Sequence, residues 1–128
     1  TITVVDSSER LIGTVIVPGA SISLEALERS AALLTDVSLN KPSSIIGKDS
    51  QESIQSGVFW GHVHMIDGFI DKIRALVCKN GEKLTLIGTG GLSEKLLSSC
   101  ENEFLTVPDL TLKGAATLFY HNTRKKTV

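Results

Sequence analysis

Two short stretches carry residue types that could do chemistry. Gly88-Thr89-Gly90-Gly91 stands between an apolar, β-branched run and a helix-like segment that begins at Leu92. Bare backbone amides in such a turn can approach a nucleotide closely, and the start of a following helix favours negative charge. The spacing fits neither the dinucleotide fingerprint nor a P-loop with its lysine, and a glycine-rich turn that binds nothing is the other reading. Ser50 is the second candidate. At the first turn of a long helix, its hydroxyl and the free amides there could hold a small polar or anionic ligand. The alternative is that Ser50 only shares the capping of that helix with Asp49.

The remaining polar residues offer less. His62 and His64 are two apart, which sets them on nearly opposite sides of a helix, so one metal ion cannot use both, and His121 is remote. They read as a packed core histidine and a surface one. Asp6, Asp36, Asp67, Asp71 and Asp109 read as turn, cap or solvent-facing residues. With no paired carboxylates, no nucleophile elbow and no Ser-His-Asp ordering, the chain holds no convincing catalytic base and no set of metal ligands.

The element that must position Ser50 is a helix predicted over about 49–79. Asp49 is a good N-cap, and Glu52 three residues on completes a capping box. Ile54, Val58, His62, Met65, Ile66, Phe69, Ile73 and Leu76 recur at helical spacing as one apolar stripe, and Lys79-Asn80-Gly81 ends it. Such a helix would be roughly 45 Å long, enough to cross a small domain. Gly57 and Gly61, one turn apart beside Ser53, cost the helix about 2 kcal/mol of propensity, so close packing on a neighbouring element or on a partner subunit should offset them.

Around this helix the order is β-β-α, then the long helix, then β-α-β-α. Thr1–Asp6 and Leu11–Val17 alternate or are β-branched on either side of Ser7-Ser8-Glu9, which predicts a hairpin closed by Pro18-Gly19. Ser21 or Ser23 is the expected cap of a first helix carrying Leu24, Leu27, Ala31 and Leu34, with Glu25 and Glu28 near its positive end. Residues 35–44 form a polar connection with at most a short strand at Val37–Leu39. Lys83–Ile87 reads as a buried strand, Phe104–Val107 as a short one, and Asp109 as the cap of a last helix through Leu112, Ala115, Ala116, Leu118 and Phe119. Alternating strands and covering helices argue an α/β layer architecture, a single domain over 1–128.

Composition narrows the function classes. With 128 residues and 41% hydrophobic content the chain can bury one real core. A formal net charge of -1 gives no pull toward nucleic acid or an anionic membrane, and Arg124-Lys125-Lys126 is the only basic cluster. The apolar runs are too short to span a bilayer. Cys78 and Cys100 lack the C-x-x-C spacing of zinc or redox sites, which fits a reducing cytoplasm and leaves a single disulfide open. The chain opens in an alternating run without an initiating methionine, as a piece of something longer would.

Thr1–Asp6, Gly13–Gly19, Leu24–Leu27, Ile46-Gly47-Lys48-Asp49-Ser50, Gln55-Ser56-Gly57, Gly61, Thr89-Gly90-Gly91-Leu92 and Leu110–Gly114 follow one another in an order and spacing that resembles the second half of type III pantothenate kinase. The resemblance covers essentially the whole chain. It implies the actin-like, ribonuclease-H-like ATPase superfold, with a mixed sheet flanked by helices, and two similar halves enclosing ATP. It further implies phosphoryl transfer from ATP to the hydroxyl of pantothenate, the first step of coenzyme A biosynthesis, in a cytoplasmic homodimer that uses Mg²⁺ and a monovalent cation (K⁺ or NH₄⁺).

Carried onto this sequence, the resemblance makes Ser50 the substrate-binding hydroxyl and puts Thr89, Gly90 and Gly91 on the nucleotide-binding turn. The phosphate loops, the aspartate base and the cation-binding aspartate would belong to the N-terminal half, so no catalytic or metal residue is expected here. The sequence departs from the family pattern at Thr14, where a second glycine is usual, at Asp49, where asparagine is usual, and at Thr35, where proline often stands. Asp49 would set a negative charge beside a substrate that is itself a carboxylate, unless the helix end absorbs it. The competing class is a non-catalytic regulatory or interaction module that keeps the same fold.

Overall fold

Asp49 turns an irregular loop into the longest element of the protein. In the computed structural model, which describes residues 1–30, 37–79 and 81–124, the elements are β1 (Ile2–Val5), β2 (Leu11–Val15), α1 (Ala20–Ser30), α2 (Ser50–Val77), β3 (Ile87–Gly88), α3 (Ser93–Leu97), β4 (Leu105–Thr106) and α4 (Leu110–Arg124). This is a mixed α/β chain. Two units divide it, Thr1–Gly61 and His62–Val128, so α2 begins in the first and ends in the second. The expected Ala31, Leu34, Thr35 and Asp36 features, the Asn80 position and the Lys125-Lys126 cluster lie outside the described residues.

In the first unit β1 and β2 form the expected antiparallel hairpin, with Ile2 opposite Val15 and Val4 opposite Gly13, and a bulge between Val4 and Val5. Asp6 organises its turn. One carboxylate oxygen accepts the N–H groups of Ser8 and Arg10 and the other pairs with the Arg10 guanidinium, while Glu9 takes the left-handed φ of 62°. The first helix starts earlier than the serines suggest. Ala20 is already helical and the Ser23 N–H donates to the Gly19 carbonyl, so Ser21 and Ser23 lie inside the first turn rather than capping it. Glu25 and Glu28 fall beyond that turn and find other partners, Arg29 and the Val37 N–H. Val37 and Leu39 form no strand, yet both side chains are buried with Ala20 and Leu24.

Helix α2 ends at Val77, short of the expected 79, and Gly81 follows with φ 83°. Its buried line is also rotated from the predicted one. Ser56, Phe59, Val63, Asp67 and Ile70 are enclosed, together with Val58, whereas Leu76 is 79% exposed. Both lines have helical spacing, and apolar residues on nearly every side of α2 let either serve as core. The enclosed line carries two polar residues, which disguised it. Each is satisfied: the Ser56 hydroxyl donates to the Ile45 carbonyl, and Asp67 accepts three hydrogen bonds.

In the second unit the predicted buried strand 83–87 contracts to Ile87–Gly88, paired in parallel with Leu105–Thr106. A parallel strand is buried on both faces only inside a wider sheet. Among the described residues the strands form two separate two-stranded sheets rather than one mixed sheet, and Ile87 stays half exposed. Gly88 is buried because the Leu97 side chain of α3 lies against it, in the space a Cβ would take. Asp109 precedes α4 as expected, its carbonyl accepting the Lys113 N–H and its carboxylate pairing with Lys113 at 3.0 Å. Cys78 and Cys100 are free thiols, and burial, then the nearby Asp67 charge, push Cys100 up to about 11.

Candidate functional site

In the first unit the site is built on the turn that leads into α2. The Asp49 carboxylate accepts the Glu52 N–H at 2.8 Å, and the Glu52 carboxylate reaches back to the Lys48 N–H at 2.9 Å, one residue earlier than the usual box. The Asp49 carbonyl takes the Ser53 N–H and hydroxyl. These bonds hold the loop flat on the helix. Gly47 makes that possible, since a Cβ there would stand 2.6 Å from Ser53 Cα and overlap the Ser53 amide. Beside it, Ile45, Ile46, Gly47, Ser53, Ser56, Gly57, Trp60 and Gly61 line a groove of about 500 Å³. Trp60 forms one wall, with Phe59 edge-on at 5.3 Å and the Lys41 ammonium over its ring at 5.4 Å.

Ser50 is the first residue of α2 and is exposed, and in the chain it falls between the lining residues Gly47 and Ser53. The capping bonds belong to Asp49 and Glu52, and among the described residues the Ser50 hydroxyl makes no hydrogen bond. Gly57 and Gly61 are exposed on the same groove, and apart from their chain neighbours and the adjacent backbone of α2 no described atom lies within 4 Å of where a Cβ would stand. Among the described residues, no neighbouring element packs against these two positions to offset their propensity cost.

The second candidate lies in the other unit. Thr89, Gly90 and Gly91 are exposed between β3 and α3, and Gly90 has φ 96°, a conformation that glycine adopts at little cost. The Thr89 hydroxyl donates to the Pro108 carbonyl at 3.3 Å, and the Gly90 carbonyl accepts the Ser93 N–H and hydroxyl. Helix α3 has five residues, so it lends little dipole to an anion. What the turn can offer is exposed backbone.

Asp67 has a role that the sequence reading missed. It is neither turn, cap nor solvent-facing residue but is 8% exposed on α2, where it accepts the N–H groups of Glu101 and Asn102 and the Asn102 side-chain amide at 2.8–3.1 Å. Burial penalises its charge. The Asn102 amide, the two backbone N–H groups and the His64 charge outweigh that and hold the carboxyl below its ordinary value. The signal available in the sequence was its spacing, four residues after Val63 and three before Ile70. His62 is half-buried and His64 exposed, and among the described residues no three His, Cys, Asp or Glu side chains gather as a metal would require. No helix there is long and apolar enough to cross a membrane.

The chain is mixed α/β, with a capped helix start over an open groove in one unit and a glycine turn between a strand and a short helix in the other. The family profile of type III pantothenate kinase matches residues 1–72, and the chain belongs to that family. Among curated relatives, the type III pantothenate kinase of Jannaschia sp. (strain CCS1) is 43% identical over 115 residues, 89% of this chain and 43% of that protein. That of Rhodospirillum centenum is 38% identical over 123 residues, 95% and 47% respectively. The enzyme of Paracoccus denitrificans is 36% identical over 122 residues, 95% and 46%. The chain thus spans a little under half the length of the relatives it matches.

Proposed function

We propose that this chain is a single domain, the C-terminal half of a two-domain kinase of the actin-like ATPase superfold, which phosphorylates pantothenate with ATP in the cytoplasm. The observation that carries the reading is family membership, combined with the exposed Ser50 at a capped helix start whose Gly47 and Ser53 line the groove. Phosphoryl transfer depends on positioning and on charge neutralisation, which suits a site assembled from two halves. In this reading the Ser50 hydroxyl hydrogen-bonds pantothenate, and Thr89, Gly90 and Gly91 lie on the nucleotide side. In the same reading, Mg²⁺, the monovalent cation and the catalytic base are held by the N-terminal half.

Ser50→Ala in the full-length kinase is expected to raise the KM for pantothenate about tenfold, the worth of one hydrogen bond of about 1.4 kcal/mol, with the KM for ATP nearly unchanged. Steady-state kinetics with each substrate varied would check it. An equal response of both constants, or of neither, removes Ser50 from the substrate site.

The groove of Gly57 and Gly61, open among the described residues, is proposed as the surface on which a second copy sits in the homodimer. Gly61→Leu should then shift the full-length protein from dimer to monomer in sedimentation while leaving its helix content unchanged. A variant that stays a dimer counts against this surface.

A further inference from the structure

Asn102 lies in the turn that joins α3 to β4, and that turn is tied to α2 by the three hydrogen bonds to the buried Asp67 carboxylate. Arg74, two helical turns further along α2, donates to the Asn102 side-chain oxygen with one guanidinium nitrogen and to Asp71 with another, at 2.7 Å in the second case. Asn102 is thus held from two sides, and its amide has no freedom to turn. The Ser99 and Cys100 N–H groups bond back to Leu96 and Leu97, which makes this turn the root of α3. The same turn leads directly into β4.

Both elements rooted there grip the glycine turn. Leu97 of α3 fills the space against Gly88, and the Ser93 hydroxyl and N–H hold the Gly90 carbonyl. On the other side the Val107 N–H donates to Gly88 and the Thr89 hydroxyl to Pro108. Thr89, Gly90 and Gly91 have no such anchor of their own to α2 among the described residues. We infer that Asp67, acting through Asn102 with Arg74, is a positioning residue that sets the geometry of the Thr89–Gly91 turn for a nucleotide it never touches. The inference rests on the nucleotide reading of that turn.

Kinetics of the full-length kinase separate the two claims, with ATP and pantothenate each varied for Asp67→Asn, Asn102→Ala and Gly90→Val. Asparagine keeps the shape of Asp67 but turns a donor toward an N–H group. The KM for ATP should rise about fivefold in Asp67→Asn and about threefold in Asn102→Ala, with the KM for pantothenate and kcat within about twofold of the parent. A purely structural role would lower the amount of active enzyme and leave both KM values in place. Should Asp67→Asn fail to fold, the milder Asn102→Ala, which keeps both backbone bonds to Asp67, decides alone. Unchanged KM values in both variants, or parallel rises for the two substrates, overturn the inference if Gly90→Val raises the KM for ATP. If Gly90→Val leaves that constant unchanged, the nucleotide reading itself falls, and the inference with it.

Discussion

Gly47→Ala is expected to destabilise the full-length protein by about 3 kcal/mol, the cost of overpacking plus a weakened helix cap. The added methyl would overlap the Ser53 amide and stand 2.5 Å from the Glu52 carbonyl carbon, and both are backbone of the first turn of α2. No side chain can rotate away to make room. Either the loop lifts, which breaks the Lys48 N–H bond to Glu52 and the Ser56 bond to Ile45, or the first turn of the helix frays. Both outcomes open the groove and displace Ser50. Gly57→Ala provides the contrast, because its site is open among the described residues and alanine improves helix propensity by about 1 kcal/mol. The two variants then differ by about 4 kcal/mol, and urea denaturation should separate their midpoints by more than about 1 M. Equal midpoints would show that the loop does not lie against the helix as described.

Asp67→Ala should cost about 3 kcal/mol, because it strands the N–H groups of Glu101 and Asn102 in a site that water does not reach freely. The same carboxylate gives stability a defined pH dependence. Its folded pKa lies below the ordinary value, so the unfolded chain takes up a proton first as the pH falls. The contribution is complete above about pH 5, declines below the unfolded carboxylate pKa of about 3.9, and is lost once the pH passes the lower folded value. Denaturation midpoints measured from pH 7 down to pH 3 should fall more steeply for the parent than for Asp67→Asn. Parallel curves would mean that Asp67 is not ionised and held by these bonds.

The helix start was legible because its signals are local. Asp49 and Glu52 announce a capping box within four residues, and the structure shifts only the amide that Glu52 takes, from Asp49 to Lys48. The hairpin was legible for the same reason, an alternating pattern around a polar turn. What stayed hidden depends on distant neighbours. Periodicity could not choose between two apolar lines on α2, and the line that is enclosed contains Ser56 and Asp67, whose partners lie 11 and about 35 positions away in sequence. The strand 83–87 looked buried from its composition, but its length in the fold is set by what pairs with it, here two residues of β4.

For the candidate site, residue types announced Ser50 and the Thr89–Gly91 turn, while the supports beneath them were not visible. Gly47 stands in sequence as one member of the Ile46–Ser50 motif, and its need for a missing Cβ appears only once the backbone of Ser53 is in place. Asp67 reads as a surface carboxylate until the turn at Glu101 and Asn102 folds onto it.

The most direct test of the central claim is pantothenate-dependent turnover of ATP by the full-length protein, in which this chain is joined to an N-terminal half with intact phosphate loops. Product formation coupled one-to-one to ATP consumption, and absent when pantothenate is omitted, is the expected result. A folded protein with those loops in place that consumes no ATP with pantothenate, or consumes it equally without, would contradict the account and favour a regulatory module on the same fold.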